Sequence, residues 1–443
     1  MRTLLLVLFA LALGGCVVDP APQWAELSDE VKGRGGPDLM WERDAADKKQ
    51  IEGMVALLLR DGVTMDEAVR IALLNNRRLQ AQFEEIGIGK ADLVQAGMLT
   101  NPSLGALFQF AEGGGIAAEV GGSILPLADI WRIPLQTAAA GARMRVAILR
   151  VLQEIVDVAR DAKIAFVDAL HALQERASQA EFVDNFRTAL ERTKERHEQG
   201  YATELEVNLA ELALLEQELD LARAEQDQRL KFGALSRLLG IEAGRIAVVG
   251  TLEQTPAPIP DAAALVAEAR QRRADVIAAD ASVTEAERLL RLECWMIFKN
   301  VDLGATYTLE DETSRIGPRI DIQLPIFDQN QAQIAKARFK LRMREKEREE
   351  LRLAVRQEID EQLAALELNA RHARLYRERI APLQEKNRRF VESWPMQFSP
   401  LVLLETQRSI LESRQRQLRA LRDYAYAQAR LDHARGRIDV ARP

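Results

Sequence analysis

The sequence predicts a mainly α-helical fold with a small β part, built twice from one helix–strand–strand–helix–helix unit. Three observations predict it. Charged residues make up 29% of the 443-residue chain and aromatics only 5%, while Ala, Leu, Glu, Arg and Gln fill long tracts, the composition of extended helices and coiled coils. Four stretches of about ten residues alternate polar with apolar side chains, the period of a strand. The order of these elements recurs with a period of about 197 residues, far longer than that of a solenoid.

The N-terminus comes first. Arg2 precedes an apolar run from Leu4 to Leu13, followed by Gly14-Gly15-Cys16. Such a run is a signal peptide, too short to span a bilayer as a helix. The segment Leu13-Gly14-Gly15-Cys16 resembles a bacterial lipoprotein box, which makes Cys16 the expected lipidated residue of the mature chain. Val17 stands where an aspartate would favour retention in the inner membrane, so delivery to the outer membrane is expected. Residues 16–62 read as a lipidated, extended N-terminal arm containing Pro20, Pro22, Gly33, Gly35, Gly36 and Pro37. With Cys16 consumed, Cys294 is the one remaining thiol, which excludes an intrachain disulfide. In its apolar stretch Cys294 reads as a small packing residue.

The first repeat spans 63–254 and the second 261–436, joined by the proline-rich linker 255–260 and followed by a tail at 437–443. Thr64-Met65-Asp66-Glu67 opens a helix in the first, and Pro260-Asp261-Ala262-Ala263 in the second. Each leads to two strands, about 101–112 and 116–127, then about 299–310 and 316–327. In the second pair, Val301, Leu303, Ala305, Tyr307 and Leu309 alternate with Asp302, Gly304, Thr306 and Thr308, placing the two sets on opposite faces. The connecting turns are Gly113-Gly114-Gly115 and Asp311-Glu312-Thr313-Ser314. Strands of this length suit a tilted bilayer crossing. Four of them cannot enclose a lumen, so an oligomer must complete any barrel.

Long helices follow each strand pair. From Gln329 to about Glu392 the one break signal is Pro382, and sixty-odd residues at about 1.5 Å each reach on the order of 95 Å. Val355, Ile359, Leu363, Leu366, Ala370 and Ala373 form a packing seam. On the return helices, Leu403, Ile410, Leu418 and Ala420, and in the first half Leu205, Leu209, Leu212 and Leu219, are expected to continue it. The turns lie near Gly200-Tyr201-Ala202-Thr203 and Met396-Gln397-Phe398-Ser399.

Catalysis finds no foothold. His171, His197, His372 and His433 are scattered without ligand spacing, and none forms a triad with a serine or cysteine. The triple glycine lacks the Lys-Ser/Thr of a phosphate cradle. A formal charge of −7 with mixed signs leaves no footprint for nucleic acid. No enzyme activity, metal or cofactor is expected beyond the covalent lipid on Cys16.

Three features carry a family resemblance. They are the segment Thr64-Met65-Asp66-Glu67-Ala68-Val69-Arg70-Ile71-Ala72-Leu73-Leu74-Asn75-Asn76 leading to Gln95-Ala96-Gly97-Met98-Leu99-Thr100-Asn101-Pro102-Ser103-Leu104; the strand end Ile320-Asp321-Ile322-Gln323-Leu324-Pro325-Ile326-Phe327-Asp328; and the duplication itself. Together they resemble the outer-membrane efflux proteins of Gram-negative bacteria, the TolC-like factors, here of a lipoprotein subtype. The resemblance implies a homotrimer whose four strands per chain form one twelve-stranded barrel in the outer membrane, continued by a helical periplasmic tunnel. It implies a passive conduit of a tripartite efflux system, served by a periplasmic adaptor and an inner-membrane pump. Type I protein secretion is the alternative, and a coiled-coil lipoprotein without a pore is a further one. The family's tunnel closes at its periplasmic end, which maps to Leu401, Leu404 and Glu405. Three Glu405 carboxylates would ring the aperture, or Glu405 is a solvated helix carboxylate and the leucines form an apolar constriction. The adaptor would contact the turns at Gly200, Tyr201, Thr203, Met396 and Ser399. Two departures stand out: Trp295-Met296-Ile297-Phe298-Lys299 replaces an aromatic-proline pair, and the second turn lacks the glycine of the first.

Overall fold

The structure is a computed structural model that describes residues 18–110, 116–242, 244–252, 258–310, 313–393 and 400–440. Cys16, the triple glycine, the Asp311-Glu312 turn, Met396 and Ser399 lie outside the described residues.

The element order repeats as the period of about 197 residues requires. Helices α1 (Ala21–Gly33) and α2 (Ala45–Leu58) come first. The first repeat then runs α3 (Met65–Asn75), α4 (Arg77–Ala96), β1 (Gly105–Phe110), β2 (Ile116–Pro126), α5 (Asp129–Glu198) and α6 (Glu204–Leu239). The second runs α7 (Ala262–Arg272), α8 (Ala274–Trp295), β3 (Val301–Glu310), β4 (Thr313–Ile322), α9 (Gln331–Leu375), α10 (Ala381–Ser393) and α11 (Pro400–Ala434). The symmetry extends to single residues. In each repeat an 11-residue helix is separated from the next by one extended residue, Asn76 (φ −64°, ψ 119°) or Arg273 (φ −64°, ψ 124°).

Those two hinges do the same job with different chemistry. A helix ends with unpaired carbonyls that need donors. The Asn75 amide donates to the Leu239 and Gly240 carbonyls and the Asn76 amide to that of Leu238, closing the end of α6. In the second repeat Arg273 Nη1 donates to the Ala434 carbonyl at the end of α11. The backbones approach so closely that a Cβ on Gly240 would sit 2.4 Å from the Asn75 carbonyl oxygen, and Gly240 itself is left-handed at φ +68°. Only glycine fits there.

The chain divides into two compact units, and each draws on both repeats. The unit formed by residues up to 27, 83–151 and 274–353 carries the β-sheet. Its core gathers Leu27, Phe83, Ile86, Ile148 and Leu149, with Trp24 edge-on to Phe83 at 4.9 Å between ring centroids. The unit formed by 28–82, 152–273 and 354–443 is helical apart from a short parallel bridge, Val63 to Val248. Its core includes Ile71, Leu73, Leu79, Leu152, Phe186, Leu239 and Tyr424. There the expected seam holds: Val355, Ile359, Leu366, Ala370 and Ala373 on α9 are buried, as are Leu418 and Ala420 on α11.

Several expectations are corrected. Residues 18–62 are not an extended arm: Asp44 caps α2 by accepting from the Ala46 and Asp47 amides, and Leu27, Val31, Ile51 and Val55 are buried. The strand β1 begins at Gly105 rather than 101, and β4 runs from Thr313 to Ile322 rather than 316–327. Leu324 and Ile326 keep the alternation but leave the ladder, whose last pair with β3 is Val301–Ile322, where β3 itself begins. On α6, Ala210 and Leu214 face the core, whereas Leu205, Leu212 and Leu219 are exposed. Cys294 is exposed too, and so is no packing residue within the chain. The tryptophan-rich departure forms a 3₁₀ turn, Met296–Phe298, between α8 and β3. Around Pro382 the helix adapts rather than breaks: a π turn, Tyr376–Ile380, immediately precedes α10. Its closing bond runs from the Ala381 amide to the Tyr376 carbonyl, absorbing one extra residue where proline cannot donate.

Candidate functional site: a two-faced sheet and its helical supports

The four strands form one antiparallel sheet in the order β1-β2-β3-β4. Register fixes the faces. Phe108 lies opposite Ala118, which lies opposite Leu309; Val120 lies opposite Tyr307, which lies opposite Ile316. With Leu303–Ile320 and Val301–Ile322, these positions make one face almost wholly apolar. The other carries Gln109, Glu119, Thr306, Thr308, Asp302, Arg315, Arg319 and Asp321. A sheet that buried its apolar face in a protein core would cover these side chains. Here Phe108 is 60% exposed, Ile316 81% and Ile320 62%. An open apolar sheet face needs a partner or an apolar solvent.

The sheet is anchored the same way in both repeats. Asp129 opens α5 and accepts from the Thr100 amide at 2.9 Å, while Arg132 also bonds it. Burial works to raise the Asp129 pKa, but the Thr100 amide and Arg132 hold it below the usual carboxylate range. In the second repeat Asp328 accepts from Lys299 Nζ at 3.2 Å and from the Asn330 amide at 3.0 Å, and its pKa is lowered by those same partners. Each carboxylate thus reaches back 29 residues, across its strand pair, and clamps the hairpin base. Asn330 completes the second clamp. It is left-handed at φ 58°, and its amide donates to the Glu293 carbonyl and carboxylate, both at 2.8 Å.

No protein-family model and no curated protein sequence matches the chain. Solved structures do. A membrane protein from Pseudomonas aeruginosa matches with a TM-score of 0.71 at 18% identity, over 84% of this chain and 92% of that one. CusC, whose crystal structures concern folding and transmembrane channel formation, matches at 0.69 with 15% identity, over 84% and 92%. The open-state MtrE outer membrane channel of Neisseria gonorrhoeae matches at 0.63 with 17% identity, over 85% and 89%. The chain has the fold of the TolC-like outer-membrane channels.

In this channel fold the remaining sequence-derived positions fall at helix ends. Gly200, at φ +78°, ends α5 in a left-handed stop: its amide bonds the His197 carbonyl at 2.9 Å and the Tyr201 amide bonds that of Arg196 at 2.7 Å. Thr203 starts α6 with a capping box, exchanging bonds with Glu206, and Tyr201 between them is 68% exposed. Beneath this tip Phe182, Val183, Phe186, Leu190, Ala210, Leu214 and Leu411 make a local core. At the second tip, Leu401, Leu404 and Glu405 all lie in the first turns of α11, which Pro400 opens at a position where a missing N–H costs nothing. Glu405 is exposed. Sequence reading missed the charge cluster on α10. There Arg388 and Arg389 both donate to Glu385, at 2.8 and 2.7 Å, and hold its carboxyl at about 2. Their spacing of three and four residues was the available signal.

No described helix is long and apolar enough to cross a membrane, and the described residues hold no cluster of metal-ligating side chains.

Proposed function

We propose that this chain is one subunit of a homotrimeric outer-membrane channel, a passive conduit that completes a tripartite efflux system. The supporting observation is the sheet. It exposes an apolar face, carries its charges on the other, and presents no described strand beyond β1 or β4, on a backbone that matches known channels. Closing such a sheet with two further copies would turn the apolar faces to lipid and the polar faces to a lumen.

On this reading Cys16 bears the lipid, the protein resides in the outer membrane, and the helices form a periplasmic tunnel. The tips at Gly200, Tyr201 and Thr203, with Met396 and Ser399, receive the periplasmic adaptor of an inner-membrane pump. Glu405, with Leu401 and Leu404, lines the tunnel's periplasmic aperture. The chain does no chemistry; the pump supplies the driving force. Efflux of small molecules is preferred to protein secretion because lipidated members of the resembled family are pump-linked.

Purified full-length protein tests the reading by heat-resistant migration in denaturing gels and by single-channel conductance in planar bilayers. Discrete conductance from a heat-resistant trimer is expected. A monomer without conductance, even with Glu405, Leu401 and Leu404 all replaced by alanine, would leave the pore-free coiled-coil lipoprotein standing.

A further inference from the structure

The polar face of the sheet is not uniformly charged; register sorts its ionic side chains into rows. Asp302 on β3 stands directly opposite Asp321 on β4. One step along the same face, Gly304 stands opposite Arg319. Further on, Thr308 lies between Glu119 on β2 and Arg315 on β4. Like charges directly opposite on neighbouring strands repel, so the Asp302–Asp321 pair needs relief. Arg319 supplies it to Asp321 through two bonds, Nε to Oδ2 at 2.8 Å and Nη2 to Oδ1 at 3.1 Å. Ser123 Oγ supplies a weaker bond to Asp302 at 3.2 Å. The Arg319 and Asp321 side chains remain 51% and 54% exposed, so the pair is open to a solvent-filled lumen rather than sealed off.

We propose that Arg319 is a selectivity-determining residue of the conduit, and that it keeps the barrel lumen permeable to anionic and zwitterionic solutes by neutralising Asp321. The proposal rests on the channel reading. With Arg319 in place, Asp302, Asp321 and Glu119 face Arg315 and Arg319, leaving one net negative charge per chain in these rows. Without it the rows carry two, and threefold symmetry triples the excess. Rings of carboxylates select cations. The planar guanidinium fork matters as well as its charge: a lysine would make a single contact and hold Asp321 less firmly. Ile320, the next residue on β4, faces the opposite side and takes no part.

The experiment measures reversal potentials of full-length trimers in planar bilayers across a potassium chloride gradient at low ionic strength, where surface charge is least screened. Arg319→Ala is expected to raise the cation-over-anion permeability ratio severalfold, Asp321→Asn to lower it, and Arg319→Lys to fall between Arg319→Ala and the parent. With the exposed Cys294 replaced by serine, a thiol at Arg319→Cys should react with a membrane-impermeant maleimide in the trimer, and one at Ile320→Cys should not. Conducting trimers whose ratio is unmoved by both Arg319→Ala and Asp321→Asn overturn the proposal while leaving the channel intact. Should Arg319→Ala fail to assemble, Asp321→Asn and the maleimide comparison decide alone. Parent protein that never conducts overturns the channel reading itself.

Discussion

Two histidines in the helical unit, His171 buried and His433 partly buried, respond to pH in opposite directions. His433 sits between carboxylates from two helices, with Nε2 2.6 Å from Asp157 and Nδ1 3.7 Å from Glu358. Burial pulls its pKa down, as does Arg160 at 3.0 Å, but the two carboxylates outweigh them and raise it. Glu358, bonded by His433 and by Arg273 at 2.5 Å, is lowered to about 2 despite its burial. His171 lies in the converse setting: burial first, then Arg422, push it down to about 4, and its Nε2 has no hydrogen-bond partner among the described residues. Glu175, 3.5 Å from His171 Nδ1, is raised by burial, so this contact is not a full ion pair. A raised histidine contributes stability that is complete below its unfolded pKa of about 6.5 and is lost as pH rises through the folded value. A lowered one contributes above about 6.5 and loses it as pH falls towards 4. Melting temperatures between pH 4 and 8 should therefore fall at both ends. His433→Asn should flatten the alkaline side and His171→Asn the acid side; a parent curve unchanged by either would refute this balance. Neither role was legible in the sequence, where the four histidines looked equally scattered, because both depend on helices meeting across more than 200 residues.

At the scale of the element, alternation was the legible signal and the partner strand set its limits. The faces of β3 were readable residue by residue, since period two needs no knowledge of the partner strand. The end of β4 was not, because Leu324 and Ile326 satisfy the period while the ladder ends with its partner strand at Val301–Ile322. The two-faced sheet predicts an asymmetry between neighbours. Phe108→Arg places a charge on the apolar face and should cost about 2–4 kcal/mol near mid-membrane, sharply reducing heat-resistant trimer. Gln109→Arg, one residue on, should be tolerated. Equal loss in both would mean that the faces are assigned wrongly. The return helix α6 offers a second case. Leu205, Leu212 and Leu219 recur at sevens and stand exposed, a stripe with no cover among the described residues. Sequence periodicity found the stripe but could not say which partner it meets. Assembly through this stripe predicts that Leu212→Lys lowers the trimer fraction on size exclusion without changing helical content by circular dichroism. An unchanged trimer fraction would assign the stripe elsewhere.

For the molecule as a whole, the duplication was the most legible property, and the repeat-symmetric clasps show why. A motif such as Leu74-Asn75-Asn76 advertises itself by composition, whereas its counterpart Arg272-Arg273 performs the matching contact with unrelated side chains. Matching by residue type alone would have missed it. On the proposed reading, a lipid on Cys16 and the sheet would make separate claims on the membrane. Cys16→Ser should abolish acylation, followed by labelled palmitate, yet leave trimer folding largely intact; loss of assembly in that variant would make the anchor a requirement. Glu405→Ala tests the aperture. A modest rise in leak or conductance is expected with reduced cation preference, and unchanged ion selectivity would count against a carboxylate ring there.

On the proposed trimeric reading, the outer rims of β1 and β4, which pair with no other described strand, set the arithmetic of assembly. One sheet in lipid has two bare rims, and an arc of two sheets still has two. Only the third subunit removes them, and in hydrocarbon each unpaired backbone group costs several kcal/mol. Of the six rims on three separate sheets, joining two copies removes two and the third subunit removes the other four, so the larger share of the pairing arrives with the last subunit. A membrane-inserted dimer should scarcely accumulate, and trimer yield should rise steeply with expression level by mass action. A co-expressed copy with one damaged rim would act as a dominant poison, spoiling every ring it joins.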